Sequence, residues 1–290
     1  MRRGMFEVDG AGLYHEVRGD GPALLLISGA GGDAGYFTGV ADELADAFTV
    51  ITYDRRGNSR STGQGDALMD LSQQATDARA LIDGLADGRA LVFGSSGGAI
   101  IGLTLAARHW EAVVGLIAHE PPAVNVLPDG DPARDFFAEV AEAYARGGGP
   151  PLRAGRARRG YVSVARRSLE EVPRQRRPSL RPGVAGLRRL PAGRGRALAP
   201  FPIVLGAGSA DRGTYYARPS IEIARGIGVP WVEFPGIHME FLPRPAGFAA
   251  AVRVWRRRCA RGAVRCPRDG GDEDAARLPV LLGSAAPFIP

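Results

Sequence analysis

Short, continuously apolar runs recur along the chain: ALLLI (23–27), FTVITY (48–53), ALVFG (90–94), AVVGLIA (112–118), PIVLGA (202–207) and VPWVEF (229–234). Runs of this length without alternation are what strands buried on both faces look like. Between most of them the apolar positions spread to helical spacing, over Tyr36–Ala47, Leu71–Leu85, Ala99–Arg108 and Ser220–Arg225. Strand and helix in alternation predict an α/β protein with a mostly parallel central sheet and helices on both faces. Upstream, FEVDGAGLYHEV reads as a hairpin turning at Asp9-Gly10, an antiparallel edge to that sheet.

The rhythm breaks once. Between Ala118 and the run that begins at Pro202 there is too much chain for a plain loop, so a cap inserted after the sixth strand is expected. The organisation that follows is a first core part (1–120), a cap (121–199), a second core part (200–258) and a tail (259–290). The cap opens with DPARDFFAEVAEAYAR (131–146), an amphipathic helix with Pro132 suited to its first turn. Residues 147–199 are rich in Arg, Pro and Gly, hold few large apolar residues, and are expected to be poorly ordered. The tail, with RDGGDEDAAR, reads as disordered and solvated.

Charge sharpens this division. The net charge is +6, and every one of the 37 basic residues is arginine. Residues 147–199 carry 14 Arg against Glu170 and Glu171, and 253–268 carry seven more with no acid. What remains of 1–146 and 200–252 has 15 Arg and 25 acids, so an acidic protein is interrupted by one Arg-rich tract and followed by another. A basic arm for nucleic acid is one reading. Tyr161 is the only aromatic residue in the tract and no nucleic-acid module is recognisable, so nucleic acid is not the expected partner. The competing reading is out-of-frame translation of GC-rich DNA, with frame changes near 147, 199 and 253. That reading would remove the lid and truncate the last helix near Val252.

No apolar run reaches the ~18 residues of a membrane helix, and MRRGMFEVDG lacks the apolar region of a secretory signal. Cys259 and Cys266 lie together near the C-terminus, which argues against a disulfide framework or a metal cluster. A cytoplasmic location is expected.

The chemistry concentrates at VFGSSGGAI (92–100). Gly94-Ser95-Ser96-Gly97-Gly98 satisfies G-x-S-x-G with Ser96 central, between an expected strand and an expected helix, the setting of a nucleophile elbow. Small neighbours relieve contact where strand turns sharply into helix. The N–H of Gly97 would then face a developing oxyanion at the helix N-terminus.

On these residues the chain resembles the α/β-hydrolase family, over 5–120 and 200–255. ISGAGGDAGYF (27–37) is similar to the family's oxyanion loop, with Ser28 where His is frequent. That resemblance implies the N–H of Ala30 as the second oxyanion donor beside Gly97. YDRRGNSRS (53–61) is similar to the family's D-x-R-G-x-G-x-S stretch, with Asn58 replacing a glycine, and is read as structural.

An activated serine needs a base and an orienting acid. His15 falls in the edge hairpin and His109 follows a helix, so both read as structural, whereas His119 ends a strand on the active edge. His238, in FPGIHMEFL after the last strand, stands where the family carries its base. Two acids fit the order Ser, acid, His. Asp211, in GAGSADRG, matches the family's usual position and is favoured; Glu120, in AHEPP, occupies the position some members use instead.

The resemblance implies a serine hydrolase that cleaves an ester, thioester or lactone through an acyl-enzyme on a small-molecule acyl substrate, with no cofactor and no metal. Serine at position 96 speaks against an epoxide-hydrolase or dehalogenase route, which uses aspartate there. A cofactor-free perhydrolase or acyltransferase would use the same triad. A hydrolase-shaped binding protein with impaired catalysis is the alternative from another class. Oligomeric state and substrate identity are not encoded in these motifs.

Overall fold

Asp9 and Gly10 turn the chain between β1 (Arg2–Val8) and β2 (Ala11–Arg18), pairing Val8 with Ala11; Gly10 takes the left-handed φ of +71° that the tight turn needs. The protein, a computed structural model, is described over residues 1–63, 70–135 and 199–260, with the backbone alone for 257–260. The Arg-rich tract 147–199, apart from Ala199, lies outside these residues. So do the tail from 261 onward and the expected cap helix beyond its first turn, whose residues 132–135 are helical.

The six apolar runs form β3 (Ala23–Ile27), β4 (Thr49–Tyr53), β5 (Ala90–Ser95), β6 (Val113–His119), β7 (Ile203–Gly208) and β8 (Trp231–Phe234). One eight-stranded sheet results, in the order β1-β2-β4-β3-β5-β6-β7-β8. β1/β2 and β2/β4 are antiparallel and every other neighbour is parallel. β5 and β7 are fully buried and β6 is buried except at Val114, which is why their sequences do not alternate.

Helices cover both faces. α1 (Thr38–Leu44), which follows a 3₁₀ turn, and the last helix, α5 (Pro245–Ala260), pack with Leu24, Leu26, Val50 and Phe93 on one side. α2 (Leu71–Leu85), α3 (Gly97–Arg108) and α4 (Arg218–Ile227) pack with Leu25, Ile27, Val92 and Leu116 on the other. Local signals set their ends. Asp70 caps α2 by accepting from Ser72 N at 2.8 Å and Gln73 N at 3.1 Å, and Gly228 closes α4 at φ +69°.

α5 does not stop near Val252. It continues to Ala260, and the residues just past Val252 are tied into the fold. Trp255 is buried against the sheet, where Gly115 leaves room: a Cβ there would lie 2.7 Å from the indole ring. Arg253 pairs with Asp46 at 2.6 Å, and the Arg256 guanidinium lies 4.7 Å from the Phe48 ring centre. The arginines thus border the apolar seam, stems inward and heads at the surface.

Trp255→Ala should therefore destabilise the fold by about 3–5 kcal/mol, as for other buried aromatic truncations, read as a lower denaturant midpoint at unchanged slope. A loss below about 0.5 kcal/mol would mean that α5 is not docked past Val252.

Candidate functional site

At the C-terminal edge of the sheet, β5 passes into α3 through Ser96, which sits at φ +57° and ψ −124°. A non-glycine residue there is strained by about 1–3 kcal/mol, and the surrounding backbone holds it. Ser96 N donates to His119 O at 2.9 Å, and Ala99 N donates to Ser96 O at 2.9 Å. Two glycines permit the bend. A Cβ on Gly94 would meet Gly98 O at 2.2 Å, and one on Gly98 would meet Ile27 O at 2.1 Å. Backbone therefore touches backbone on both sides of the serine. Ser95 and Gly97 are buried while Ser96 remains partly exposed, on the first turn of a helix whose leading N–H groups lack intrahelical acceptors.

The Gly-rich loop after β3 lies against this bend: a Cβ on Gly29 would come within 2.7 Å of Ser96 Cβ and 3.2 Å of Gly97 N. Residues of YDRRGNSRS fix the loop. Asp54, fully buried, accepts from Ala34 N at 2.7 Å and from Arg60 Nε at 2.6 Å and Nη2 at 2.8 Å. Arg55 donates from Nη2 to Gly29 O at 3.0 Å, and its backbone N donates to Gly32 O at 2.7 Å. Ala30 sits exposed in the loop so anchored.

The imidazole of His238, in the loop after β8, meets a carboxylate, and that carboxylate is Glu120. Its Nδ1 contacts Glu120 Oε2. Glu120 Oε1 accepts from Gly208 N at 2.8 Å, so the end of β7 grips the residue that follows β6. Glu120 has φ +51°, a left-handed conformation that is costly for a side chain of this size. Burial pushes its carboxyl up, but the His238 hydrogen bond, with His119 and Gly208 N–H, outweighs that and leaves it below its ordinary value.

Asp211, the acid favoured from the sequence, does not hold the imidazole in this structure. It is buried close by, and burial followed by the charge of Glu120 raises its pKa. The backbone N–H of His238 and the side chain of Tyr216 act on its carboxyl in the opposite direction. Sequence alone could not rank the two acids, because both follow strands at the same sheet edge. The left-handed turn at Glu120 and the Gly208 N–H place its carboxylate against His238, and neither leaves a motif.

Two further side chains belong to the neighbourhood. The Tyr216 ring lies 4.3 Å from the His238 ring, a contact no sequence signal announced. His119, singled out for its strand-end position, is fully buried against Phe93, Phe234 and Phe248. Desolvation holds its pKa down to about 4, so at neutral pH it is uncharged. His15 and His109 lie away from the site, the first on β2 against Phe6 and the second capping α3. Among the described residues no group of His, Cys, Asp and Glu is arranged to hold a metal ion. Among them, too, no helix is long and apolar enough to cross a membrane.

Residues 22–154 match the α/β hydrolase fold family. The chain is similar to that family over these residues, and its eight-stranded sheet has the α/β-hydrolase fold.

It is 44% identical over 129 residues to the uncharacterized hydrolase YraK of Bacillus subtilis, a match covering 44% of this chain and 47% of that protein. The matches span only about half the length of the curated relatives. Over nearly the full length the fold is that of a thermophilic esterase from Thermogutta terrifontis (21% identity, TM-score 0.60, covering 89% of this chain and 99% of that one). An enol-lactonase from Burkholderia xenovorans shares it as well (20% identity, TM-score 0.54, covering 88% of this chain and 100% of that one).

The depressed His119 sets a pH dependence. Its imidazole takes up a proton below 6.5 in the unfolded chain but only below about 4 when folded. The associated stability is fully present above 6.5 and is lost as pH falls toward 4, by roughly 3 kcal/mol. Urea unfolding at pH 7 and at pH 4.5 should show this loss, and His119→Leu should reduce it; an equal loss in both proteins would contradict the assignment.

Proposed function

We propose that this α/β-hydrolase is a serine hydrolase acting on an ester-type bond (ester, thioester or lactone), with Ser96 as nucleophile, His238 as base and Glu120 as orienting acid. The observation that carries the reading is the Glu120–His238 contact at the same sheet edge as a serine held in a strained, glycine-flanked turn. The related folds carry no substrate assignment at their level of identity, so the bond class is argued from the site.

His238 takes the Ser96 proton as the oxygen attacks the acyl carbon. Glu120 holds Nδ1 and stabilises the imidazolium that forms. The N–H groups of Ala30 and Gly97 receive the tetrahedral oxyanion, each on the order of 3 kcal/mol when well aligned. The imidazolium then protonates the leaving alcohol, thiol or ring oxygen as the carbon–oxygen or carbon–sulfur bond breaks, leaving an acyl-Ser96. Water, deprotonated by the same imidazole, attacks that ester and releases the acid and the free serine. Every proton lent to His238 is returned within the cycle, so the reaction needs no further reactant than water.

Intact mass after treatment with a fluorophosphonate should show one adduct that disappears in Ser96→Ala. Glu120→Gln should slow labelling by 10² to 10⁴, about the cost of removing a triad acid. Asp211→Asn should stay within about tenfold of the parent, a difference of ~1.4 kcal/mol. If instead Asp211→Asn is the crippled variant and Glu120→Gln is not, Asp211 is the acid. No adduct on the folded parent would favour the alternative of a binding protein on this fold.

A further inference from the structure

One buried imidazole has no part in that cycle. His119 closes β6, fully buried, and neither ring nitrogen has a hydrogen-bond partner among the described residues. Three phenylalanine rings surround it, with centroids 5.1 Å (Phe234), 5.5 Å (Phe248) and 6.1 Å (Phe93) away. An unpaired imidazole in such surroundings is costly. Leucine would fill the space without that cost, so packing does not account for the residue.

Its position does. His119 pairs with Ser95 in β5 and Gly206 in β7, and its carbonyl accepts the N–H of Ser96. The next residue, Glu120, turns through φ +51°. That turn leaves Glu120 Oε2 4.0 Å from His119 Nδ1, while the same oxygen contacts His238 Nδ1. The two imidazoles lie 6.4 Å apart with 26° between their planes, both flanking this carboxylate. Glu120 Oε1 has Gly208 N. A carboxylate with no exposure can accept about four hydrogen bonds, and the described residues supply one donor to each oxygen. The other titratable groups that face it, Asp211 and Tyr216 from the β7–α4 connection, are acids and lend it no positive charge.

We propose that His119 is a positioning residue for Glu120, its neutral ring held as the Nδ1–H tautomer so that the N–H dipole points at Oε2 and keeps that oxygen in line with His238. At 4.0 Å the interaction is charge–dipole rather than a direct hydrogen bond, and the surrounding rings keep it from being screened by water. The other nitrogen, Nε2, is then a bare acceptor among aromatic rings, and an unmet acceptor is tolerated better than an unmet N–H. His119 does not touch substrate, being wholly enclosed. The proposal rests on Glu120 as the triad acid.

The test uses the full chain with ¹⁵N-labelled histidine. Long-range ¹H–¹⁵N correlation at neutral pH should report His119 protonated at Nδ1 and bare at Nε2; the reverse tautomer overturns the proposal without any variant. The rate of fluorophosphonate labelling of Ser96 supplies the second readout. His119→Leu should label about tenfold more slowly, with the downfield Nδ1–H resonance of His238 moved upfield. His119→Asn, whose amide can occupy the place of Nδ1–H, should recover most of both. Equal rates in the Leu and Asn variants overturn the role of His119. If Glu120→Gln labels at the parental rate, the triad reading itself falls and the proposal with it, so the two failures are told apart.

Discussion

The site depends on how closely three backbone segments approach. β3, the bend after β5 and the first turn of α3 meet at Gly94, Gly98 and Gly29, where no Cβ can be accommodated without displacing main-chain atoms. This contact holds Ser96 in a conformation that an isolated chain would avoid, and it aligns the helix N-terminus beneath the serine. The energy stored at the turn is a few kcal/mol at most, small beside the burial of the central strands. Buried central strands can carry it where a surface loop could not.

Glu120 and His238 are brought together at the same edge. β6 delivers His119 and Glu120, β7 delivers the Gly208 N–H, and the loop after β8 delivers His238. Glu120 is therefore held by its neighbours in the sheet rather than by its own loop, which suits a charge that water does not reach. Oxygen by oxygen, the carboxylate is matched to groups that favour its ionised form, and its pKa falls despite burial. Asp211 shows the opposite balance a short distance away, where burial and a like charge win.

Much of this was legible in the chain. Strands buried on both faces declare themselves as unbroken apolar runs, and the structure's β3 to β8 fall on those runs with ends displaced by a residue or two. The elbow was legible because its glycines are required by contact, not by taste. Which carboxylate meets His238 was not, since two carboxylates followed two strands at one edge and the backbone turn at Glu120 distinguishes them. Nor was the end of α5: Arg253 and Arg256 read as part of a basic tract, whereas their placement depends on Asp46 and Phe48, some two hundred residues earlier. Long-range partners of that kind leave no periodic trace.

β6 and β7 are adjacent in the sheet, with Ala118 beside Leu205. Because the two strands are parallel, the chain that leaves β6 at the edge carrying Glu120 re-enters β7 at the opposite edge, as a crossover connection must. Lengthening such an excursion is cheap: each doubling of its length adds only about 0.6 kcal/mol of closure entropy. The fold thereby separates two inheritances. Ser96 and Glu120 are held by backbone contacts with the sheet, so the length of that connection can change without altering those contacts.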